Sequence, residues 1–220
     1  MSANSRKSRR NRNHSNRRRV AYSLAAGAAA ATVGGASADA AVVYSGPQNI
    51  SIGQFSSQSL NLDGDAYNDI LLKNYVFVGG NYQGAYVNFY PGKLVGFTSG
   101  LSYVSALGTG DAISSATVGP FQGSMAYGGN NPNAEFNNVT DAYIGLAFPI
   151  AAVNHYGWIR VDVDNAAGTF LVKDWAYETQ SGVGLAAGDG LPVVPEPGTL
   201  GLLAAGAAGV LALRRRRQSR

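Results

Sequence analysis

The chain has 220 residues, with 17 Lys and Arg against 13 Asp and Glu and no cysteine, and its pI near 9.4 first suggests a basic surface for nucleic acid. Locating the charges excludes that: eight cations fall in residues 1–40 and five in 214–220, while residues 41–194 hold only Lys73, Lys93, Arg160 and Lys173 against eleven carboxylates. No nucleic-acid partner is expected of so acidic a middle, and with no cysteine and two histidines neither a disulfide framework nor a closed zinc site can form.

Residues 1–40 read as a signal peptide. Eight Lys and Arg between Arg6 and Arg19 precede an apolar, Ala-rich stretch from Val20 to Val33, too short and too weakly hydrophobic for a stable span of ~20 apolar residues. Ala36-Ser37-Ala38 and Ala38-Asp39-Ala40 both fit the small-x-small pattern that signal peptidase accepts. The mature chain is therefore expected to begin at Asp39 or Ala41. Arg18-Arg19 lacks the remainder of a twin-arginine motif, so the general export machinery is the expected route.

Residues 41–192 are long enough for one sizeable core and short for two. Ile50 to Ile52, Ile70 to Val78, Ala85 to Tyr90 and Ile113 to Val118 are strand candidates, separated by turn signals at Val78-Gly79-Gly80-Asn81, Tyr90-Pro91-Gly92 and Tyr127 to Pro132. Ile144, Leu146, Phe148 and Ile150 alternate with Tyr143, Gly145 and Ala147. From Tyr156 to Asp164, Ile159, Val161 and Val163 face inward and Trp158, Arg160, Asp162 and Asp164 lie on the opposite face. Thr169 to Glu178 carries Phe170, Val172, Trp175 and Tyr177. Eight to eleven short strands without long helices predict an all-β, antiparallel sandwich or jelly roll, with barrel closure as the alternative.

Within this domain, Asn61, Asp63, Asp65, Tyr67 and Asp69 put oxygens at alternate positions of a loop, Tyr67 through its carbonyl. A calcium loop spaces its ligands so, because a hard cation takes six to eight oxygens and alternate residues of a tight turn point inward. The stretch resembles the aspartate-rich loops between strands of β-repeat proteins, which implies Ca2+. Against it, position 6 is Ala66, and position 12, Leu72, brings no carboxylate; an ordinary Asp/Gly-rich turn is the competing reading. His155 stands alone beside a strand start, where a structural role is expected. Asp162 and Asp164 share a strand face as paired carboxylates of a glycoside hydrolase do, and equally as a solvated face does. Tyr82, Tyr86, Tyr90, Trp158 and Trp175 are candidates for a platform stacking on sugar rings; the alternative places them in the core.

At the C-terminus, Val194-Pro195-Glu196-Pro197-Gly198-Thr199 precedes an uncharged Leu/Ala/Gly-rich stretch and then Arg214, Arg215, Arg216 and Arg217. Two prolines around one glutamate cannot continue a helix or join a ladder, which leaves the tripeptide extended and accessible. A helix over residues 198–213 is ~24 Å long, slightly less than a ~30 Å hydrocarbon core, and the four arginines hold its end in the cytoplasm. Residues 193–220 resemble the PEP-CTERM sorting signal. The block from Asp141 to Gly188 is also similar to a stretch of bacterial PEP-CTERM proteins, without an activity attached. The resemblance implies an exosortase as partner, recognising Pro195, Glu196 and Pro197, and a chain held by one inner-membrane span before transfer to the cell surface or extracellular matrix. The expected role is structural or adhesive and non-enzymatic. The alternative is a carbohydrate-binding module directed at exopolysaccharide, and behind it a glycan-active hydrolase.

Overall fold

The computed structural model describes residues 41–192; the expected signal peptide and the sorting segment lie outside the described residues. Apart from a short 3-10 turn at Gly128–Asn130, the regular structure is all β. The first strands are β1 (Val42–Tyr44), β2 (Ile50–Ile52), β3 (Ser56–Leu60), β4 (Ile70–Phe77) and β5 (Gly80–Val87). Six follow: β6 (Lys93–Leu94), β7 (Gly96–Ser99), β8 (Leu101–Val104), β9 (Ala106–Leu107), β10 (Ala112–Ile113) and β11 (Gln122–Ala126). Three long strands, β12 (Asn138–Ile150), β13 (Val153–Asp164) and β14 (Thr169–Glu178), precede β15 (Leu185–Ala186).

Seven strands form one sheet in the order β1-β14-β13-β12-β6, with β2 also on β14 and β9 also on β12. Six form a second sheet in the order β3-β4-β5-β11-β8-β7. The expected antiparallel pairing has one exception, since β8 and β11 run parallel where Ser124 meets Tyr103. The strand expected at Ile113 to Val118 stops at Ile113, because Ser114 to Thr117 turns back on itself: Ser114 N–H donates to Thr117 Oγ1 at 2.9 Å and Thr117 N–H to the Ser114 carbonyl at 3.1 Å.

The sheets pack face to face around one core. Ile70, Leu72, Val87 and Met125 from the six-stranded sheet meet Ile144, Leu146, Phe148, Ile159, Val161, Phe170 and Val172 from the other, all buried. Each such side chain contributes about 1.5–3 kcal/mol through the water it sheds. The alternation on β12 and β14 survives two register breaks, one between Val139 and Ala142 against β13, the other leaving Lys173 without a partner between Val172 and Asp174. A bulge adds one residue to a strand, so Phe170 and Val172 before it and Trp175 and Tyr177 after it point to the same core.

A chain of amides ties the sheets together at one end of this core. Buried Asn74 on β4 donates through Nδ2 to the carbonyls of Ile52 (2.8 Å) and Gly168 (2.9 Å), and its Oδ1 accepts from Gln83 Nε2 at 2.8 Å. Asn165, at the β13–β14 turn, donates to Gln83 Oε1 at 2.7 Å and to the Asn81 carbonyl at 2.6 Å. Shared partners are what make buried amides tolerable.

The outer face of the seven-stranded sheet is covered too. Val95, Ile113, Tyr143, Tyr156, Trp158, Ala176 and Leu185 form a second core there, under the two-stranded β10–β15 sheet. A methyl group on Gly145 of β12 would fall 2.7 Å from Val95 Cγ2 and 2.8 Å from Leu107 Cδ1, so a bare backbone at that position lets this layer sit down on the sheet.

Candidate functional site

The outer face of the six-stranded sheet stays open, and its alternation lines a cleft. Lys73 on β4 faces Gly84 on β5, and Tyr75 faces Tyr82 in the same register; across β5, Gln122 and Ser124 of β11 stand beside Tyr86 and Gly84. Phe77, Tyr82, Tyr127, Leu101 and Asn131 complete a hollow of about 380 Å³ with Lys73, Gln122 and Ser124 on its polar side. Phe77 and Tyr82 have ring centroids 5.6 Å apart, and Tyr82 and Tyr127 meet edge to face at 5.7 Å. Tilted and edge-to-face contacts of this kind hold the rings in place.

Gly84 sets the position of Tyr82. A methyl group there would lie 2.4 Å from Tyr82 Oη and 2.8 Å from Cζ, so the Tyr82 ring lies along its own strand over the glycine. This partial burial raises the Tyr82 phenol pKa above its usual value, and the phenol stays protonated as a donor. The loop bearing Tyr127 is pinned on both sides, by Asn130 Nδ2 donating to the Gly79 carbonyl at 2.6 Å and Asn131 Nδ2 donating to Ser124 Oγ at 2.6 Å.

A second hollow of about 300 Å³ adjoins the first, lined by Tyr86, the Val87 to Lys93 segment and Gly119 to Phe121. Tyr86 joins the two: Lys73 Nζ lies 5.8 Å from its ring centroid, and Phe121 meets it edge to face at 5.6 Å. Tyr90 is 95% exposed in this second hollow. Each hollow carries one cation, Lys73 or Lys93, and no carboxylate. Among the described residues the ion pairs involve only Arg160 and Lys173 as cations.

Of the five aromatics that were candidates for either a platform or the core, the structure brings Tyr82, Tyr86 and Tyr90 to this side. Trp158 is removed from it: the residue is 0% exposed, packed edge to face on Tyr143 at 5.2 Å, with its indole N–H donating to the Asp189 carbonyl at 3.0 Å. It lies on the face opposite Ile159 as expected, but that face is covered by the second core. Trp175 is half-buried against the main core and donates to the Leu62 carbonyl at 3.3 Å, which leaves it no part in the cleft. Lys73, Phe77, Gln122, Ser124, Tyr127 and Asn131 were not singled out by the sequence. The outward phase of β4, Lys73-x-Tyr75-x-Phe77, was the available signal for two of them.

The remaining candidates are occupied by structure. Asn61 Oδ1 accepts from Gly64 N–H (2.7 Å), Asp63 Oδ1 from Asp65 N–H (3.1 Å), Asp65 Oδ1 from Tyr67 N–H (2.6 Å) and Asp69 Oδ2 from Leu62 N–H (2.7 Å). Each of these four side chains thus accepts from the loop's own backbone, and among the described residues no three or more His, Cys, Asp or Glu side chains gather around a common point. His155 is buried, its Nδ1 3.0 Å from the Glu178 carbonyl. Asp162 pairs with Lys173 and accepts from Asp141 N–H at 2.7 Å; Asp164 accepts from Ala167 N–H at 3.0 Å in the β13–β14 turn.

Comparison with protein families matches residues 193–217 to the PEP-CTERM protein-sorting motif. The chain carries a PEP-CTERM sorting signal. The matched span contains Pro195, Glu196 and Pro197 and Arg214 to Arg217, and it marks an exported, membrane-anchored protein with an exosortase as processing partner. Comparison with curated proteins and with solved structures gives no match. Among the described residues no helix is long and apolar enough to cross a membrane; the expected span at 198–213 lies outside them. Ahead of this signal Leu191 packs against the second core, and the Leu191 N–H donates to the Gly188 carbonyl at 3.2 Å. The matched span starts at residue 193, two residues beyond Leu191.

Proposed function

We propose that this PEP-CTERM protein is a non-catalytic, adhesive surface domain that holds exopolysaccharide in the double cleft on its six-stranded sheet. The observation that carries the reading is the lining: Tyr82, Tyr127, Tyr86 and Tyr90 beside Lys73, Lys93, Gln122 and Ser124. Sugar rings present apolar C–H faces and equatorial hydroxyls, which aromatic faces and amide or hydroxyl groups match respectively. In a domain of about −7, the two cations without carboxylate partners are both in the cleft, which favours a polysaccharide bearing carboxylates. Glycoside hydrolysis needs two carboxyl groups flanking the bond, and neither hollow has one in its lining, which supports binding over cleavage.

In this reading residues 198–213 span the inner membrane with Arg214 to Arg217 on the cytoplasmic side until exosortase acts near Pro195-Glu196-Pro197. An intact Arg220 on the mature surface form, read by mass spectrometry, would overturn that part. The binding reading is tested on a glycan array and by affinity electrophoresis through polygalacturonate and its methyl ester. Retardation by the acid form that is reduced in Tyr82→Ala and Tyr127→Ala is expected. No array signal above background would overturn the glycan reading; equal retardation by acid and ester would overturn only the preference for carboxylates.

A further inference from the structure

The first described residue lies on a buried carboxylate. Ala41 N–H donates to Glu178 Oε1 at 3.0 Å, and Thr179 N–H donates to the Ala41 carbonyl at 3.0 Å, so Ala41 extends the β1–β14 ladder that pairs Val42 with Glu178. Glu178 itself is 3% exposed. Its Oε1 also accepts from Gln180 N–H at 2.8 Å and lies 3.4 Å from Thr179 Oγ1. His155, the nearest basic side chain by hydrogen bonding, meets the Glu178 backbone carbonyl and leaves the carboxylate alone. Among the described residues no Lys, Arg or His side chain forms an ion pair with it.

A buried carboxylate held only by neutral donors is an incomplete site, since a buried charge is ordinarily paired as well as hydrogen-bonded. The missing partner is a cation at the place where Ala41 nitrogen already sits. Within a longer chain that nitrogen is one neutral N–H. As a chain terminus it is an α-ammonium, with a full charge and three donors.

We propose that signal peptidase hydrolyses the Ala40–Ala41 bond and that the new Ala41 α-ammonium pairs with the Glu178 carboxylate, so that export processing completes the fold. The cut consumes one water: Ala40 leaves with the carboxylate and Ala41 keeps the amine, which takes up a proton at neutral pH. Of the two small-x-small patterns, Ala36-Ser37-Ala38 and Ala38-Asp39-Ala40, only the second delivers the charge to Glu178. A cut after Ala38 would leave it two residues away, ~7 Å along an extended chain, and would add the Asp39 carboxylate beside Glu178.

The N-terminal mass of the exported protein tests the bond: a start at Ala41 is expected, and a start at Asp39 would overturn the proposal. The pairing is tested separately with two chains in detergent, Ala41–Arg220 and Asp39–Arg220, each freed from a cleavable fusion without extra residues. The Ala41 chain is expected to melt several degrees higher, in line with one added charge-assisted contact. The difference should vanish in Glu178→Gln, which keeps an acceptor for the backbone N–H groups, and on acetylation of the Ala41 amine. Equal midpoints for the two wild-type starts, or a difference that survives Glu178→Gln, would show that the ammonium does not act through this carboxylate.

Discussion

Lys173 Nζ lies 2.5 Å from Asp141 Oδ1, and each residue sits in the β-bulge of a different neighbour of β13. Lys173 is the unpaired residue of β14, and Asp141 stands in the two-against-one step of β12 with φ +56°. Between them Asp162 accepts from Asp141 N–H at 2.7 Å and contacts Lys173 at 3.3 Å. Beside them Arg160 takes a two-point hold on buried Asp174, with Nε donating at 3.0 Å and Nη2 on the other oxygen; that hydrogen bond raises the guanidinium pKa further.

The two bulge residues should respond differently to mutation. Lys173→Met removes two partly exposed ion pairs, to Asp141 and Asp162, and the loss is expected below ~1 kcal/mol and mostly absent at 1 M salt. Asp141→Ala removes the pairs with Lys173 and Arg160 and also leaves a β-carbon at positive φ without the polar side chain that tolerates it, for a loss on the order of 1–2 kcal/mol. Asp141→Gly should recover the backbone part. Urea denaturation of the three variants at low and high salt gives the comparison; identical losses for Asp141→Gly and Asp141→Ala would mean that the bulge carries no strain.

Asp69 should make stability fall as pH rises. The residue is 3% exposed, and burial, against the lowering effect of the Leu62 N–H and with Asp63 and Asp65 adding to the rise, pushes its pKa up to about 6 from 3.8. The folded protein therefore keeps a proton between about pH 4 and 6 that the unfolded chain has released. Stability from this group is fully present below the unfolded pKa and is lost as pH climbs through the folded one, by up to about 3 kcal/mol for two pKa units. Asp69→Asn keeps an oxygen for Leu62 N–H, so in EDTA it should raise the midpoint at pH 7 and flatten the profile from pH 4 to 7. A wild-type profile equally flat over that range would contradict this account.

The hairpin between β12 and β13 offers the opposite sign. Ile150 pairs with Val153, and Ala151 and Ala152 between them have φ of +49° and +66°, the geometry of a type I′ turn that favours Asn-Gly. Alanine there carries the clash of its β-carbon, roughly 1 kcal/mol per residue. Ala151→Asn with Ala152→Gly should stabilise by about 1–2 kcal/mol in equilibrium unfolding, and an unchanged or lower midpoint would argue against a strained turn.

That turn also shows where sequence reading runs out. β12 to β14 were legible because Ile144 to Ile150, Ile159 to Val163 and Phe170 with Val172 write the core face directly into the hydrophobic pattern, whereas the bulge at Lys173 shows only in the strand register. Ala151-Ala152 carries no turn chemistry, so only strand pairing reveals the bend. β3, Ser-Ser-Gln-Ser-Leu, and β11, Gln-Gly-Ser-Met-Ala, lack β-branched runs; they are strands because Leu60 and Met125 are buried and their neighbours supply the ladder. Trp158 was readable as outward from Ile159 but not as covered, since the layer over it comes from residues distant in the chain. The cleft is non-local in the same way: Tyr82 and Tyr86 were visible as aromatics, whereas Lys73, Gln122 and Tyr127 join them only through the β4-β5-β11 register.

The amide chain inside the core should behave as a unit. Gln83→Leu strands Asn74 Oδ1 and removes one partner of Asn165 Nδ2, and each unsatisfied buried group costs about 1–3 kcal/mol. Asn74→Leu is expected to cost a similar amount by orphaning Gln83 Nε2 and the carbonyls of Ile52 and Gly168. The double variant removes both ends of one bond, so its loss should be less than the sum of the singles by 0.5 kcal/mol or more. Strict additivity in denaturant unfolding would mean that the two amides do not share their energy.

Gly84 and Tyr82 give the sharpest test of the cleft. A β-carbon on Gly84 would meet the far end of the Tyr82 side chain, Oη at 2.4 Å and Cζ at 2.8 Å, and its nearest contacts include no backbone atom. Gly84→Ala should therefore leave the fold close to wild-type stability while swinging the ring off the sheet. If the ring acts by stacking on a bound sugar, its loss is worth about 1 kcal/mol, a roughly five-fold weakening, and Gly84→Ala and Tyr82→Ala should weaken polygalacturonate retention alike. The double variant should be no weaker than either single, because both remove the same contact. A Gly84→Ala protein that melts normally and binds as the wild type does would show that the resting position of Tyr82 is irrelevant to the ligand, and additive losses would show that Gly84 acts by some route other than the ring above it.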